Sequence, residues 1–350
     1  MMSTHELPGR TVNIEGKELL YFSGTAYLGM GKNEAFKEKL LEGMSRYGSN
    51  YSSSRTSNLQ LSIYEKVESF LAHYTGAEEV LTLSSGYLAC QAVVNLLAQD
   101  HAFMYAPNTH PALCRYAEDF YVGNYAQWSK TIHRQLRSNI ANKLVIVSNS
   151  LDPLLAEKYD FDWLNTLPAD RDITLLIDDS HGFGIIGKNG SGIYGMIKSL
   201  RKNLKLIVVS SFGKAFGIPG GLVMSDKAVM QNLKKSSYFA GSSPIVPAYL
   251  YAFLHSQEIY RQTRQKLFEN VAQFSKATAA TGLFHHFDHY PVFYTPDNNL
   301  YKALKDRCIL SSFSYPTHDS KPISRVVLSS LHHPEDIDRL SQWVLDYQHR

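Results

Sequence analysis

Lys214 lies in the run Ser210-Ser211-Phe212-Gly213-Lys214-Ala215-Phe216-Gly217, directly after the apolar stretch Leu206-Ile207-Val208-Val209. A buried strand that ends among small residues carries a lysine amine into a site where it condenses with a carbonyl. A second apolar run, Leu175-Leu176-Ile177, ends in Asp178-Asp179-Ser180-His181, an acid and an imidazole. A third, Leu81-Thr82-Leu83, passes through Ser84-Ser85-Gly86-Tyr87 into the apolar, helix-like stretch Leu88 to Leu97. Each segment alone has an ordinary reading as a solvated lysine, a strand-end turn acid or a small-residue loop. Together they supply an amine for an imine, a carboxylate that keeps a pyridinium nitrogen protonated, and backbone N–H groups at a helix start for a phosphate. Those are the three demands of pyridoxal 5'-phosphate.

In this order the segments resemble the α-oxoamine synthases, a family of pyridoxal-phosphate-dependent acyltransferases. The similarity runs from Tyr21 to about Leu340. It opens at Ala26-Tyr27-Leu28-Gly29, continues through Tyr47-Gly48, Ser54-Arg55 and the helix Tyr64 to Gly76, and closes at Ser324-Arg325-Val326-Val327-Leu328-Ser329 and Glu335-Asp336-Ile337.

The resemblance implies a Schiff base on Lys214, Asp178 against the pyridine nitrogen, and His110 of Asn108-Thr109-His110 stacked on the ring. It implies His181 at the phenolic oxygen, and Ser85, Gly86, Tyr87, Ser211 and, from a neighbouring subunit, Ser242 around the phosphate. Arg325, with Thr25 beside it, would hold the amino acid's carboxylate, a task suited to a bidentate guanidinium. The implied reaction is a decarboxylating condensation of a small amino acid with an acyl-CoA or acyl-carrier thioester, giving an α-amino ketone. L-Alanine with a pimeloyl thioester is the favoured pair, and the protein is expected to be a homodimer with shared sites. An aminotransferase of the same fold and a cofactor-binding module without turnover are the alternatives.

The chain also departs from the family pattern. Thr25 stands near the place of an asparagine, Ser49-Asn50-Tyr51-Ser52-Ser53 is poor in glycine, and Ala240-Gly241-Ser242 replaces a stretch richer in hydroxyls. Ser148-Asn149-Ser150-Leu151-Asp152-Pro153 lacks the usual Ser-Met-Asp-Gly, so its contacts cannot be placed from sequence.

Two competing motifs fail on context. Gly182-Phe183-Gly184-Ile185-Ile186-Gly187 spells a dinucleotide fingerprint, but a loop-like Lys188-Asn189-Gly190-Ser191-Gly192 follows where a helix should open. No Asp or Glu lies between Ser180 and Ser225 to hold a ribose. The cluster His285-His286-Phe287-Asp288-His289 has a metal-site composition, yet adjacent strand residues point to opposite faces, so it reads as a polar surface loop and no metal is expected.

The elements that must position these residues are strands alternating with longer amphipathic stretches, which predicts an α/β fold with a mainly parallel sheet under helices. The resemblance makes this the pyridoxal-phosphate-dependent transferase fold type I. Expected boundaries are an N-terminal segment over 1–45, a large cofactor-binding domain over 46–235 and a smaller C-terminal α/β domain over 236–350. At 350 residues, 44% hydrophobic and 19% charged, the chain can bury a large core. Its net charge of +3 gives no basic stripe for nucleic acid, though it does not oppose a polyanion such as CoA. No apolar run approaches the roughly 18 residues of a membrane span. Cys90, Cys114 and Cys308, odd in number and widely spaced, suit reduced thiols, so a cytoplasmic protein is expected.

Overall fold

The computed structural model describes residues 3–138, 141–168, 170–201, 204–315 and 319–349. In chain order its strands are β1 (Thr11–Ile14), β2 (Lys17–Phe22), β3 (Glu79–Leu83), β4 (Ala102–Tyr105), β5 (Lys143–Asn149), β6 (Leu151–Asp152) and β7 (Glu157–Lys158). There follow β8 (Asp172–Asp178), β9 (Lys205–Ser211), β10 (Gly221–Ser225), β11 (Val292–Thr295), β12 (Cys308–Ser314) and β13 (Pro322–Val327).

The larger sheet runs β3-β10-β9-β8-β5-β4. Strands β4, β5, β8 and β9 are parallel to one another, while β10 is antiparallel to both of its neighbours. The unbroken apolar runs of the sequence are strands buried on both faces. Leu144, Ile146, Leu175, Ile177, Leu206 and Val208 enter one core, and the alternate Val145, Val147, Leu176, Ile207 and Val209 enter the other. Helix Gly86–Leu97 supplies much of the second core through Ala89, Val93 and Leu97.

A second sheet, β1-β2-β12-β13-β11, joins the two ends of the chain. Strand β2 pairs in parallel with β12, Leu20 opposite Cys308, so residues of the N-terminal segment share a sheet with the C-terminal strands. Helices Gln257–Thr278 and Pro334–Gln348 bury Leu267, Val271 and Phe274, and Ile337, Leu340 and Val344. Helix Pro247–His255 ends at Ser256, and Gln257–Thr278 follows it directly.

The dinucleotide-like glycines open no α-helix, only a three-residue 3₁₀ turn over Lys188–Gly190. Gly184 and Gly187 take left-handed φ values of 92° and 77°, and the next α-helix starts only at Tyr194. In the histidine cluster, His285 forms an isolated antiparallel bridge with Tyr294, and His286 Nε2 lies 3.0 Å from Ser275 Oγ. The three cysteines are buried and unpaired. Among the described residues no helix is long and apolar enough to cross a membrane.

The edge strand β3 is fastened by an ion pair. Glu68, on helix Ser62–Thr75, accepts hydrogen bonds from Thr82 N and Thr82 Oγ1, each 2.8 Å long, and from Arg55 Nη2 at 2.9 Å. The Arg55 guanidinium also lies 4.4 Å from the Tyr64 ring centroid. Both charged side chains are almost wholly buried. Removing one partner strands the other charge and leaves the edge N–H unbonded, so Glu68→Ala should destabilise the fold by about 3–5 kcal/mol. A denaturant unfolding curve checks this; an unchanged midpoint would contradict it.

Candidate active site

The parallel strands end on a common rim. Register sets Asn149 of β5 beside Asp178 of β8, and Asp178 beside Val209 of β9. Asp178 is 7% exposed, and its Oδ1 accepts the Ser180 N–H at 2.8 Å. Its Oδ2 lies 3.9 Å from His110 Nδ1, too far for a hydrogen bond.

Lys214 stands on the turn that links β9 to β10. Phe212 and Phe216, both buried, anchor that turn against Phe253, with ring centroids 5.2 and 5.3 Å away. Burial pulls the Lys214 amine below the ordinary lysine range, and the negative charge of Asp178 pushes it back up. The lysine is therefore held in a desolvated place within electrostatic reach of the strand-end acid.

At the phosphate-cradle segment, Ser85 is the N-cap of helix Gly86–Leu97, and its Oγ accepts the Leu88 N–H at 3.1 Å. The Gly86 and Tyr87 N–H groups belong to the first turn and have no intrahelical acceptor. A Cβ on Gly86 would come within 2.7 Å of Ser211 Cβ, so glycine is what lets the helix start meet the end of β9. Ser211 Oγ in turn accepts the Gly213 N–H at 3.1 Å. Helix N-terminus, glycine and hydroxyl thus converge in an arrangement that can hold an anion.

Facing the rim is a cavity of about 210 Å³, lined by His110, Asn149, Asp178, His181 and Arg325, with Phe313 and Tyr315 above. His110 projects into it half-exposed. Its backbone N–H donates to Asn149 Oδ1 at 2.9 Å, and Asn149 Nδ2 donates to Asn108 O at 2.7 Å. Asn149 therefore staples the turn that presents His110. Asn108 can hold that turn because its φ of 59° is left-handed, a conformation asparagine tolerates.

Arg325 reaches the cavity from β13. One Nη donates to Pro153 O at 2.6 Å, the guanidinium lies 5.1 Å from the Phe313 ring, and Nε is buried without a partner. Among the described residues no carboxylate lies within 4.0 Å of it. A buried guanidinium with an orphaned N–H can receive an external carboxylate. The segment Ser148–Pro153 now has contacts: Asp152 is buried, accepts the Leu154 and Leu155 N–H groups at 2.8 and 3.0 Å, and receives Asn108 Nδ2 at 3.1 Å. Burial nevertheless lifts its carboxyl above the usual range.

Of the predicted residues, His110, Asp178, His181 and Arg325 line this cavity; Lys214 and the helix-start residues Ser85, Gly86 and Tyr87, with Ser211, do not. Ser242 Oγ donates to Tyr238 O at 2.6 Å, and neither Ser242 nor Thr25 lines the cavity. Sequence reading missed Asn149, Asp179 and the contact between Tyr27 and His181. Asn149 carried a signal, since it closes the apolar run Leu144–Val147 as Asp178 closes the next one. Asp179 is fully buried behind the rim; its Oδ2 accepts the Ile193 N–H at 2.8 Å, and burial pushes its carboxyl up to about 7.

Comparisons with known proteins identify the family. Residues 18–343 match the family described as aminotransferase class I and II. The 8-amino-7-oxononanoate synthase of Aliivibrio fischeri is 30% identical over 281 residues, 75% of this chain and 70% of that protein. The enzyme of that name from Nitrosomonas eutropha is 26% identical over 347 residues, covering 94% and 90%. Among solved structures, serine palmitoyltransferase from Sphingomonas wittichii superposes with a TM-score of 0.82 at 16% identity, covering 98% of this chain and 90% of its own. The 8-amino-7-oxononanoate synthase of Francisella tularensis gives 0.72 at 22%, covering 95% and 99%. The chain belongs to the class I and II aminotransferase family and, within it, to the α-oxoamine synthases, pyridoxal-phosphate-dependent acyltransferases of fold type I.

Proposed function

We propose that this protein condenses a small α-amino acid with an acyl thioester, releasing carbon dioxide and the thiol and leaving an α-amino ketone. The observation that carries the reading is a desolvated lysine within electrostatic reach of a buried strand-end carboxylate, which shares a cavity with an arginine that has no ion pair among the described residues. The residues fit pyridoxal phosphate: the cradle at Gly86 has room only because a Cβ is absent, and Ser85, Gly86, Tyr87 and Ser211 would hold the phosphate. Ser242 would complete that cradle from the partner subunit of a homodimer. When bound, the cofactor supplies a carbonyl for amines and a ring that accepts the electron pair left at the substrate's Cα.

Each remaining task falls to a side chain. Lys214 holds the carbonyl and, once its amine is free, takes the Cα proton. Burial helps it, since an amine with a lowered pKa is unprotonated in a larger fraction at neutral pH. Asp178 would hold the pyridine nitrogen with one oxygen, the other being fixed by the Ser180 N–H. His110, braced by Asn149, would stack on the ring, and His181 would hydrogen-bond the phenolic oxygen. Arg325 fixes the amino acid's carboxylate, with Thr25 as its partner on the substrate side. L-Alanine and a pimeloyl thioester are the favoured substrates, a choice supported by the names of the relatives.

Three experiments test the reading. Lys214→Ala should abolish the covalent cofactor absorbance band, and a borohydride-stable adduct persisting in the variant would refute the assignment. Arg325→Ala should weaken amino-acid binding, read by spectral titration, by at least about tenfold, the equivalent of one charge-assisted hydrogen bond. The reaction class is decided by products: one free thiol and one carbon dioxide per turnover support condensation, whereas keto-acid-dependent turnover without thiol release indicates an aminotransferase.

The pH dependence follows from the charges around Lys214. Burial lowers its pKa and Asp178 raises it, so in cofactor-free protein the amine should become reactive at a lower pH than an ordinary lysine. Asp178→Asn removes the opposing term and should move the midpoint lower still. Labelling of Lys214 by acetic anhydride across pH, read by mass spectrometry, checks the sign; a midpoint moving upward in the variant would contradict it.

A further inference from the structure

Tyr27 lies on the turn after β2, remote in sequence from His181, yet its hydroxyl is 2.8 Å from His181 Nδ1. The phenol is 1% exposed, shut away from bulk water. Two proton arrangements satisfy that distance: the phenol donates to Nδ1, or an Nδ1–H donates to the phenol oxygen. The second leaves the phenol's own proton in need of an acceptor. The neighbouring Tyr290 hydroxyl acts on Tyr27 as a donor, lowering its pKa, and falls short of full hydrogen-bond geometry, so it offers the Tyr27 proton no acceptor. No other side-chain or backbone acceptor is bonded to Tyr27 Oη among the described residues. An unpaired buried donor is costly, so the first arrangement wins.

The imidazole has only one proton to place. Burial holds the His181 pKa well below the ordinary range, and Lys214 on the turn after β9, Arg325 on β13 and His110 on the turn after β4 push it the same way. Asp178 lines the same cavity, and Tyr27 is the group packed against Nδ1. We infer that Tyr27 is a positioning residue that donates to His181 Nδ1 and thereby fixes the single imidazole proton on Nε2, the nitrogen left to meet the cofactor's phenolic oxygen. This deepens, and rests on, the reading that His181 faces that oxygen. In this tautomer His181 presents a donor to an anionic oxygen; in the other it would present a lone pair and repel it.

The test separates this inference from the reading beneath it. Two-bond ¹⁵N–¹H NMR on the cofactor-free protein reports the His181 tautomer directly, and the wild type should show Nε2–H; an Nδ1–H signal overturns the inference whatever the enzyme's activity. Tyr27→Phe keeps the ring and removes the donor, so both tautomers should become populated. In cofactor-loaded Tyr27→Phe the pH midpoint of the absorbance band should rise by about half a unit to one unit, the worth of one neutral hydrogen bond. An unchanged tautomer and midpoint in a folded variant also overturn it. If the variant does not fold, the wild-type spectrum alone decides. Failure of the wild type to bind pyridoxal phosphate would strike the proposed function, while the tautomer measurement would still stand or fall independently.

Discussion

Strand register is the constraint on which the site depends. Because β5, β8 and β9 pair in parallel, Asn149, Asp178 and Val209 stand abreast, and the chain leaves all three strands at one edge. A slip of one residue in β8 would turn Asp178 to the opposite face of the sheet, away from His110. The register is held by burial on both faces, where Leu175 and Ile177 pack into one core and Leu176 into the other. Nonpolar packing therefore places the carboxylate with a precision that the loops beyond the rim could not supply alone.

The second sheet contributes what the first lacks. Arg325 stands on β13 between Ser311 of β12 and Tyr294 of β11, and its guanidinium crosses to the carbonyl of Pro153 on the large-sheet side. Strand β2 belongs to the same small sheet, and the turn after it sends Tyr27 to His181. Both ends of the chain thus close over the rim of the large sheet, one bearing a cation and the other a phenol. The N-terminal residues are part of the site's architecture, not an appendage to it.

Much of this was legible in the sequence because the predicted site residues sit at breaks in pattern. Lys214, Asp178 and Ser85 each interrupt an apolar run, and the strand ends fell close to where those runs stop: Leu206–Val209 became β9 (Lys205–Ser211), and Ile173–Ile177 became β8. What escaped were contacts between distant segments. Asn149 looked like a departure from a family motif, and its value lies in two hydrogen bonds to a turn some forty positions earlier, with separations of 39 and 41 residues. The pairing of Tyr27 with His181 spans 154 positions and leaves no local trace. Ser242 and Thr25 were placed by resemblance alone, and within one chain neither reaches the cavity.

The electrostatics of the rim explain why so many polar groups can be buried together. Lys214, Arg325 and the helix start at Gly86 are positive or N–H-rich, while Asp178 is bonded on one side by Ser180 and Asp152 by Leu154, Leu155 and Asn108. Arg325 is left with an unbonded Nε, and Lys214 has no carboxylate within 4.0 Å among the described residues. Cations without partners are expensive in a buried place unless an anion completes them. A phosphate, a phenolate and an amino-acid carboxylate are the three anions that the proposed function would bring to these donors. The neutral, single-proton His181 completes the set: an imidazolium there would add a further positive charge beside Lys214 and Arg325, whereas a neutral imidazole with its proton fixed gives a directed hydrogen bond without that repulsion.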